Sequence, residues 1–311
     1  MTNQERILKQ LSKITFEKLE TAVCHDINKT RLLFSKKDEL SYWDYRICSK
    51  CGLVFISPRP IESDQLKIYN VYADYDFTTE EGLKQRFSIK PSRFQKTILR
   101  GIRSKRKLGR LLDVGCAEGG WLNRVQTEGW DCCGVEPCFG AAENARKLGF
   151  KVYDGHFLSA DINKYNLFDV ITMNDVFDHV HDPWRILKKA RKLLRPKGLV
   201  VISVMNYNSL ERYLCHKEWC HFTVGHLYYF SEKSIRFILN ENGFKLVKIK
   251  TMRNTDIPYT LKCCWRRITH RDIPLPKKRL SILDRLVNRI FSYPLNFCRL
   301  GPILTVFAEK V

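Results

Sequence analysis

The sequence predicts an α/β fold: a seven-stranded sheet built on parallel βα units with helices on both faces, a small Cys-bearing module in front of it and a helical insertion before its last strand. Three observations carry this. From Leu108 to Asn206, apolar runs of strand length alternate with stretches of helical periodicity, the pattern of repeated βα units around a parallel sheet. The first run ends in a turn rich in small residues, LLDVGCAEGG, which carries the chain from strand to helix. Two later apolar runs, near Phe244–Ile249 and Ile303–Ala308, supply the strands that complete the sheet.

Each element has its own signature. Residues 1–60 read as an amphipathic helix near Ile7–Leu19 and a zinc-ribbon-like Cys module ending in the breaker SPRP. Residues 61–107 read as a helical cap with aromatics at Tyr69, Tyr72, Tyr75 and Phe77 and a basic helix over Phe94–Ile102. The core, residues 108–250, opens with a buried strand at Arg110–Val114 and a helix from Trp121. Cys132–Val135 is the second strand and Ala141–Leu148 its helix; Lys151–Tyr153 and Phe168–Met173 are the third and fourth strands. Ile186, Leu187, Ala190, Leu193 and Leu194 recur at helical spacing with basic residues between them, so that helix buries one face. The turn Pro196-Lys197-Gly198 launches a fifth strand, Leu199–Val204. Ser231 caps a helix that buries Ile235, Ile238 and Leu239 and that Gly243 stops. Residues 251–311 hold a basic amphipathic insertion and the final strand.

Composition bounds the function. A chain of 311 residues can bury one good-sized core plus an appendage. No apolar stretch has the length of a membrane span and the first residues lack the apolar run of a signal peptide, so a cytoplasmic location is expected. The 12 cysteines fit that compartment as free thiols, and only Cys48 and Cys51 show ligand spacing. Lys and Arg number 54 against 33 Asp and Glu, a formal charge of +21 concentrated at Arg93–Arg110, Arg185–Lys197 and Arg266–Arg299. Such a field favours nucleic acid, an anionic membrane face or an acidic glycan, or it is the solvated surface of a basic protein.

The chemistry is densest after the first core strand. Asp113 ends that strand, and Gly115, Ala117 and Gly119 then let the backbone approach a ligand while the helix start offers unpaired N–H groups. Glu136 closes the second strand, where a carboxylate can accept protons from both hydroxyls of a ribose. Together these point to a nucleotide-type cofactor; the competing use of such a turn is binding of NAD.

The runs LLDVGCAEGGWL, GVEP, FDVITMNDVFDHVHDP and LLRPKGLVVIS resemble the class I methyltransferases of Rossmann-like fold that use S-adenosylmethionine, particularly those similar to ubiquinone-biosynthesis O-methyltransferases. RICSKCGLVFISPRP and GHLYYFSEKSIRFILNENGF resemble the subgroup found in bacterial surface-polysaccharide gene sets. The resemblance implies that Asp113, Gly115 and Gly119 hold the methionine part, with Ala117 at the middle glycine of the family's turn. It implies Glu136 on the ribose, His156 and Phe157 flanking the adenine, and Asn174 and Asp175 beneath the sulfonium. The acid that often follows Gly155 in the family is His156 here. The implied reaction is O-methylation of a small-molecule, glycan or lipid-linked acceptor; an RNA-directed role and a non-catalytic cofactor-binding role remain alternatives.

A hydroxyl acceptor has a proton to lose, and His179, His181, His221 and His226 are candidate bases. Asp175, Asp178 and His179 stand three and four apart, so a helical turn would gather them to hold a divalent metal; alternatively His179 binds backbone and caps the loop. Cys48-Ser-Lys-Cys51-Gly is a zinc half-site to which Cys24, and in principle His25, could be added. In the tail, Leu283, Leu286, Val287, Ile290 and Phe291 form one stripe, with Asp284, Arg285, Asn288 and Arg289 facing away. Such a helix either lies in an anionic membrane interface or packs on the fold.

Overall fold

A computed structural model describes residues 14–19, 24–37, 42–65, 67–68, 92–162, 167–252 and 294–311, with scattered positions between 260 and 290. Five strands precede the core: β1 (Phe16–Glu17), β2 (Thr30–Lys37), β3 (Tyr42–Cys48), β4 (Val54–Ser57) and β5 (Arg59–Pro60). Helix α1 (Arg93–Arg103) follows, opened by a reciprocal cap between Ser92 and Gln95.

The core is a seven-stranded sheet of β6 (Arg110–Val114), β7 (Asp131–Glu136), β8 (Lys151–Asp154), β9 (Phe168–Asn174), β10 (Leu194–Met205), β12 (Phe244–Met252) and β13 (Ile303–Lys310). Their order is β12-β13-β10-β9-β6-β7-β8. The pairs β6–β7, β7–β8, β6–β9 and β9–β10 are parallel, and β13 runs antiparallel to both β10 and β12. Between β6 and β9 the order reverses, which opens a crevice at the carboxyl edge where ligands of such sheets bind. Leu199–Val204 of β10 is buried along its whole length because both faces of the sheet are covered.

Helices α2 (Gly120–Gln126), α3 (Phe139–Lys147), α4 (Pro183–Leu193), α5 (Leu210–Cys215) and α6 (Glu232–Glu241) follow α1 along the chain. Asp182 caps α4 through the Arg185 N–H, and Ser231 caps α6 through the Ser234 N–H. Gly101, in mid-helix, has a packing reason: a Cβ there would lie 2.3 Å from Cζ of Phe307 on β13. The helix can approach the sheet only without that atom.

Ahead of the core stands a second, four-stranded sheet in the order β11-β4-β3-β2. Its edge strand, β11 (Tyr228–Tyr229), comes from the loop after α5 and pairs Tyr228 with Phe55 and Tyr229 with Val54 of β4. Trp43, Tyr45, Phe55, Phe222 and Tyr229 join the main hydrophobic core through this sheet, so the N-terminal strands and the large sheet share one interior.

Four expectations are corrected. The end of the N-terminal helix near Ile7–Leu19 is not helical: Phe16 and Glu17 pair as a strand with Pro60 and Arg59, and residues 1–13 lie outside those described. The Pro196-Lys197-Gly198 turn does not precede the fifth strand but sits inside it, as a register shift between Leu194 and Leu199 with Lys197 at φ 60°. The tail stripe lies almost wholly outside the described residues, as do Tyr69, Tyr72, Tyr75 and Phe77. Where it is described it is reversed, with Asn288 buried and Ile290 60% exposed. The fourth, the metal triad, belongs to the site itself. No helix among the described residues is long and apolar enough to cross a membrane.

Candidate active site

At the carboxyl edge of β6 the chain bends through three left-handed residues, Gly115 (φ 72°), Ala117 (φ 46°) and Gly119 (φ 87°), before α2 begins. The Gly115 N–H donates to Val135 O at 2.8 Å, tying the bend to β7. Glu136, 1% exposed, reaches under it. Its Oε2 accepts from the Ala117 N–H at 2.8 Å and its Oε1 from the Cys138 N–H at 2.8 Å. Asp113 is equally buried and accepts from Thr172 Oγ1 at 2.6 Å, while Trp121 Nε1 donates to the same Thr172 oxygen at 3.2 Å. Burial, reinforced by the nearby Glu136 charge, holds the Asp113 carboxyl well above the usual range. No lysine or arginine among the described residues pairs with it.

The loop after β9 presses against this bend. A Cβ on Gly115 would fall 2.4 Å from Val176 Cγ2. Beyond Val176, the chain places Asp178 in the interior, 1% exposed. Its Oδ1 has no hydrogen-bond partner, and the nearest imidazole nitrogens are His179 Nε2, 3.8 Å from Oδ1, and His226 Nε2, 4.0 Å from Oδ2. The two rings are 4.4 Å apart. His179 Nδ1 lies 2.7 Å from Gly225 O, an atom that can only accept, so Nδ1 carries the proton and Nε2 of the neutral ring keeps its lone pair. His226 Nδ1 meets Thr223 Oγ1 at 2.9 Å. Burial, with His179 and His221 beside it, pushes the His226 imidazole well below its ordinary value, and burial pushes the Asp178 carboxyl up.

This corrects the expected metal triad. Asp175 adopts φ 55° and is exposed, and no helix forms from Asp175 to His179. The ligand atoms that converge are those of Asp178, His179 and His226. His181 is elsewhere, bonded to Pro60 O at 2.8 Å, and Tyr229 OH donates to His221 O at 3.0 Å. Asn174 Oδ1 accepts from Ser203 Oγ at 3.3 Å at the end of β9. His156 is exposed at the mouth beyond β8, whereas Phe157 is 4% exposed and packs in the core with Lys189 Nζ 5.4 Å over its ring.

Away from the crevice, the ligand atoms of Cys24, His25, Cys48 and Cys51 lie within 4.8 Å of one another. His25 Nδ1 is 3.3 Å from Cys48 Sγ, and its ring stacks on Phe237. The turn that aims the two thiols is closed by the Gly52 N–H to Cys48 O at 2.9 Å, with Gly52 at φ 75°. A hydrogen bond from Cys24 pulls the Cys51 thiol down to about 5, and the same contact pushes Cys24 up.

Sequence reasoning missed Thr172, Trp121 and Val176 as parts of the site. Thr172 left a signal, a hydroxyl in the middle of the apolar run FDVITM; Val176 left none, because its role is contact across two loops.

Residues 84–249 match the methyltransferase domain family, just over half of the chain. Ubiquinone biosynthesis O-methyltransferase of Pectobacterium atrosepticum is 32% identical over 106 residues, 32% of this chain and 44% of that protein. Its counterpart from Photorhabdus laumondii is 26% identical over 160 residues, 49% of this chain and 65% of that one. The chain thus spans about half the length of these curated relatives. Among solved structures, the methyltransferase of the Haloferax volcanii complex with the Trm112 methyltransferase activator superposes at TM-score 0.51 with 16% identity, covering 78% of this chain and 95% of that one. The S-adenosylmethionine-dependent methyltransferase of Archaeoglobus fulgidus gives 0.48 with 17% identity, covering 73% and 98%. A seven-stranded sheet with this order, a bend of small residues between two buried acids, and a match over half the sequence have one reading: the chain belongs to the methyltransferase domain family, in its class I, S-adenosylmethionine-dependent division.

Proposed function

We propose that this protein is an O-methyltransferase that moves the methyl group of S-adenosylmethionine to a hydroxyl of a small polar acceptor, a sugar unit of a glycan or lipid-linked precursor. The observation that carries the reading is the pair Asp113 and Glu136. Both are buried beside a bend packed so closely that a Cβ at Gly115 would meet Val176, and Asp113 has no cationic partner among the described residues. A buried carboxylate of that kind is stabilised by a cationic ligand, and the amino group of the cofactor supplies one. Asp113, Gly115, Ala117 and Gly119 would hold the methionine end, Glu136 the ribose hydroxyls, and His156 with the backbone at Phe157 the adenine. Asn174 would lie beneath the sulfonium. The bound cofactor supplies an electrophilic methyl group.

The chain's own task is then alignment and removal of the acceptor's proton. His179 Nε2 is the proposed base, since the bond to Gly225 O fixes its tautomer. His226, kept neutral by burial, and Asp178 flank it, and exposed Asp175 would contact the acceptor. We also assign a structural zinc to Cys24, His25, Cys48 and Cys51, a set of soft donors whose convergence fits a four-coordinate site.

The test is calorimetry with S-adenosylhomocysteine, followed by incubation of methyl-labelled cofactor and protein with fractionated cell extract. Uptake of the ligand and label in a glycan or lipid fraction is the expected result. Label in RNA selects nucleic-acid modification, which the charge of +21 would serve. Ligand binding without transfer to any fraction marks a non-catalytic member, and no ligand binding overturns the reading.

A further inference from the structure

A second site lies beside this one, at the seam between the N-terminal sheet and the carboxyl edge of β10. A cavity of about 140 Å³ is lined by Leu33, Phe34, Tyr207, Arg212, His216 and Phe222. At about 30 Å³ per water molecule it has room for four or five waters, hence for one tetrahedral oxyanion.

Its cationic wall is prearranged. Arg212 Nε donates to Tyr207 O at 2.6 Å, and the guanidinium lies 4.0 Å over the Tyr207 ring. These contacts fix the plane of the fork and leave its two terminal nitrogens with no carboxylate partner among the described residues. The groups that act on its charge are the phenols of Tyr207 and Tyr213, and burial disfavours the charge. A half-buried guanidinium in a fixed plane, without a counter-charge, matches the bidentate geometry of phosphate or carboxylate oxygens. His216, on the same wall, is held at φ 51° and ψ −126°, a sparsely populated conformation for a residue bearing a Cβ. Arg31, on the neighbouring strand, adds to the positive field felt by Tyr207. Leu33, Phe34 and Phe222 add apolar lining, which lowers the local dielectric and strengthens a charge pair.

The cavity shares a loop with the histidine cluster. Phe222 packs 4.9 Å from Tyr229, whose ring is 6.1 Å from that of His226, and Gly225 of the same loop holds His179. We propose that this cavity is an oxyanion subsite, with Arg212 as its anchor, that receives a phosphate group carried by the methyl acceptor. The link to the acceptor rests on the methyl-transfer reading above; the subsite itself does not.

The test is inorganic phosphate titrated at constant ionic strength into the full chain, as wild type, Arg212→Leu and Arg212→Lys, with S-adenosylhomocysteine affinity measured on the same preparations. Saturable binding is expected in the wild type, weakened at least about tenfold in Arg212→Leu, with Arg212→Lys between them because it keeps the charge and loses the fork. Affinity for S-adenosylhomocysteine should be the same in all three. In the unsubstituted protein, phosphate should also shield Arg212 from phenylglyoxal, read by mass spectrometry, which is independent of any folding defect in the variants. Equal phosphate affinity in wild type and Arg212→Leu, or labelling of Arg212 that ignores phosphate, overturns the subsite. Phosphate bound through Arg212 by a protein that takes up no S-adenosylhomocysteine supports the subsite and overturns the methyl-transfer reading.

Discussion

Replacing Gly115 with alanine tests whether the small-residue bend and the histidine loop are packed as one unit. Gly115 has φ 72°, and a Cβ there would sit 2.4 Å from Val176 Cγ2. Two costs follow. The left-handed backbone costs a residue with a Cβ about 1–2 kcal/mol. Relieving an approach that far inside the ordinary carbon–carbon separation of about 3.5–4.0 Å costs a further ~1–3 kcal/mol of displaced packing. The lower chain entropy of unfolded alanine offsets about 0.4–1 kcal/mol, so the net loss centres near ~3 kcal/mol. Val176→Ala removes the clashing methyl groups, so in the double variant the packing part should be recovered and the backbone part should remain. Urea denaturation, with equal slopes for all four proteins, gives the cycle; calorimetry with S-adenosylhomocysteine reads the bend. If Gly115→Ala costs under about 0.5 kcal/mol, or couples to Val176 by less than the ~0.5 kcal/mol expected of independent sites, the two loops are not packed as argued.

Three further outcomes are expected. Glu136→Gln keeps the shape but turns an amide NH2 toward one of the N–H groups of Ala117 and Cys138. An unmatched buried donor costs about 1–3 kcal/mol, so affinity for S-adenosylhomocysteine should fall roughly 10- to 100-fold, and an unchanged affinity would move the nucleoside elsewhere. His226 is held well below 6.5 by burial, His179 and His221, so the unfolded chain binds its proton first as pH drops. Stability should therefore fall as pH decreases below about 6.5 and be regained above it. Asp113 and Asp178, both raised from 3.8, act in the opposite sense, so the readout is the difference in Tm between wild type and His226→Gln from pH 7.5 to 5; parallel curves would remove His226 from the account. The purified protein should carry about one zinc ion per chain, lost in Cys48→Ser with a lower Tm and unaltered S-adenosylhomocysteine affinity; metal content unaffected by Cys48→Ser would refute the assignment.

The core strands were legible because burial on both faces writes them as mostly apolar runs: Arg110–Val114 and Phe168–Asn174 were placed to within a residue. The four-stranded sheet was not. Thr30–Lys37 alternates irregularly between exposed and half-buried positions, so no period marks it as a strand. Its partner β11 has two residues and owes its conformation to pairing with β4, far away in sequence. Local pattern carries no record of such pairing.

The candidate site divides along the same line. Asp113 and Glu136 were found because each lies at the carboxyl end of a strand, Glu136 as the last residue of β7 and Asp113 as the last but one of β6, a place the pattern fixes. The grouping of Asp175, Asp178 and His179 failed because it assumed a helical turn where Asp175 takes a left-handed conformation. His226 enters in place of Asp175 through backbone bonds: the Leu227 and Tyr228 N–H groups donate to Asp178 O at 2.9 and 3.1 Å, and Ile56 N–H to Leu227 O at 3.2 Å. Tyr228 and Tyr229 are meanwhile held by β4. The position of His226 relative to Asp178 therefore depends on the sheet that also bears the cysteines, while the bend at Gly115 depends on β7. Two separate parts of the fold thus set the proposed base and the proposed cofactor bend, and Val176, against Gly115 and two residues from Asp178, is where they meet.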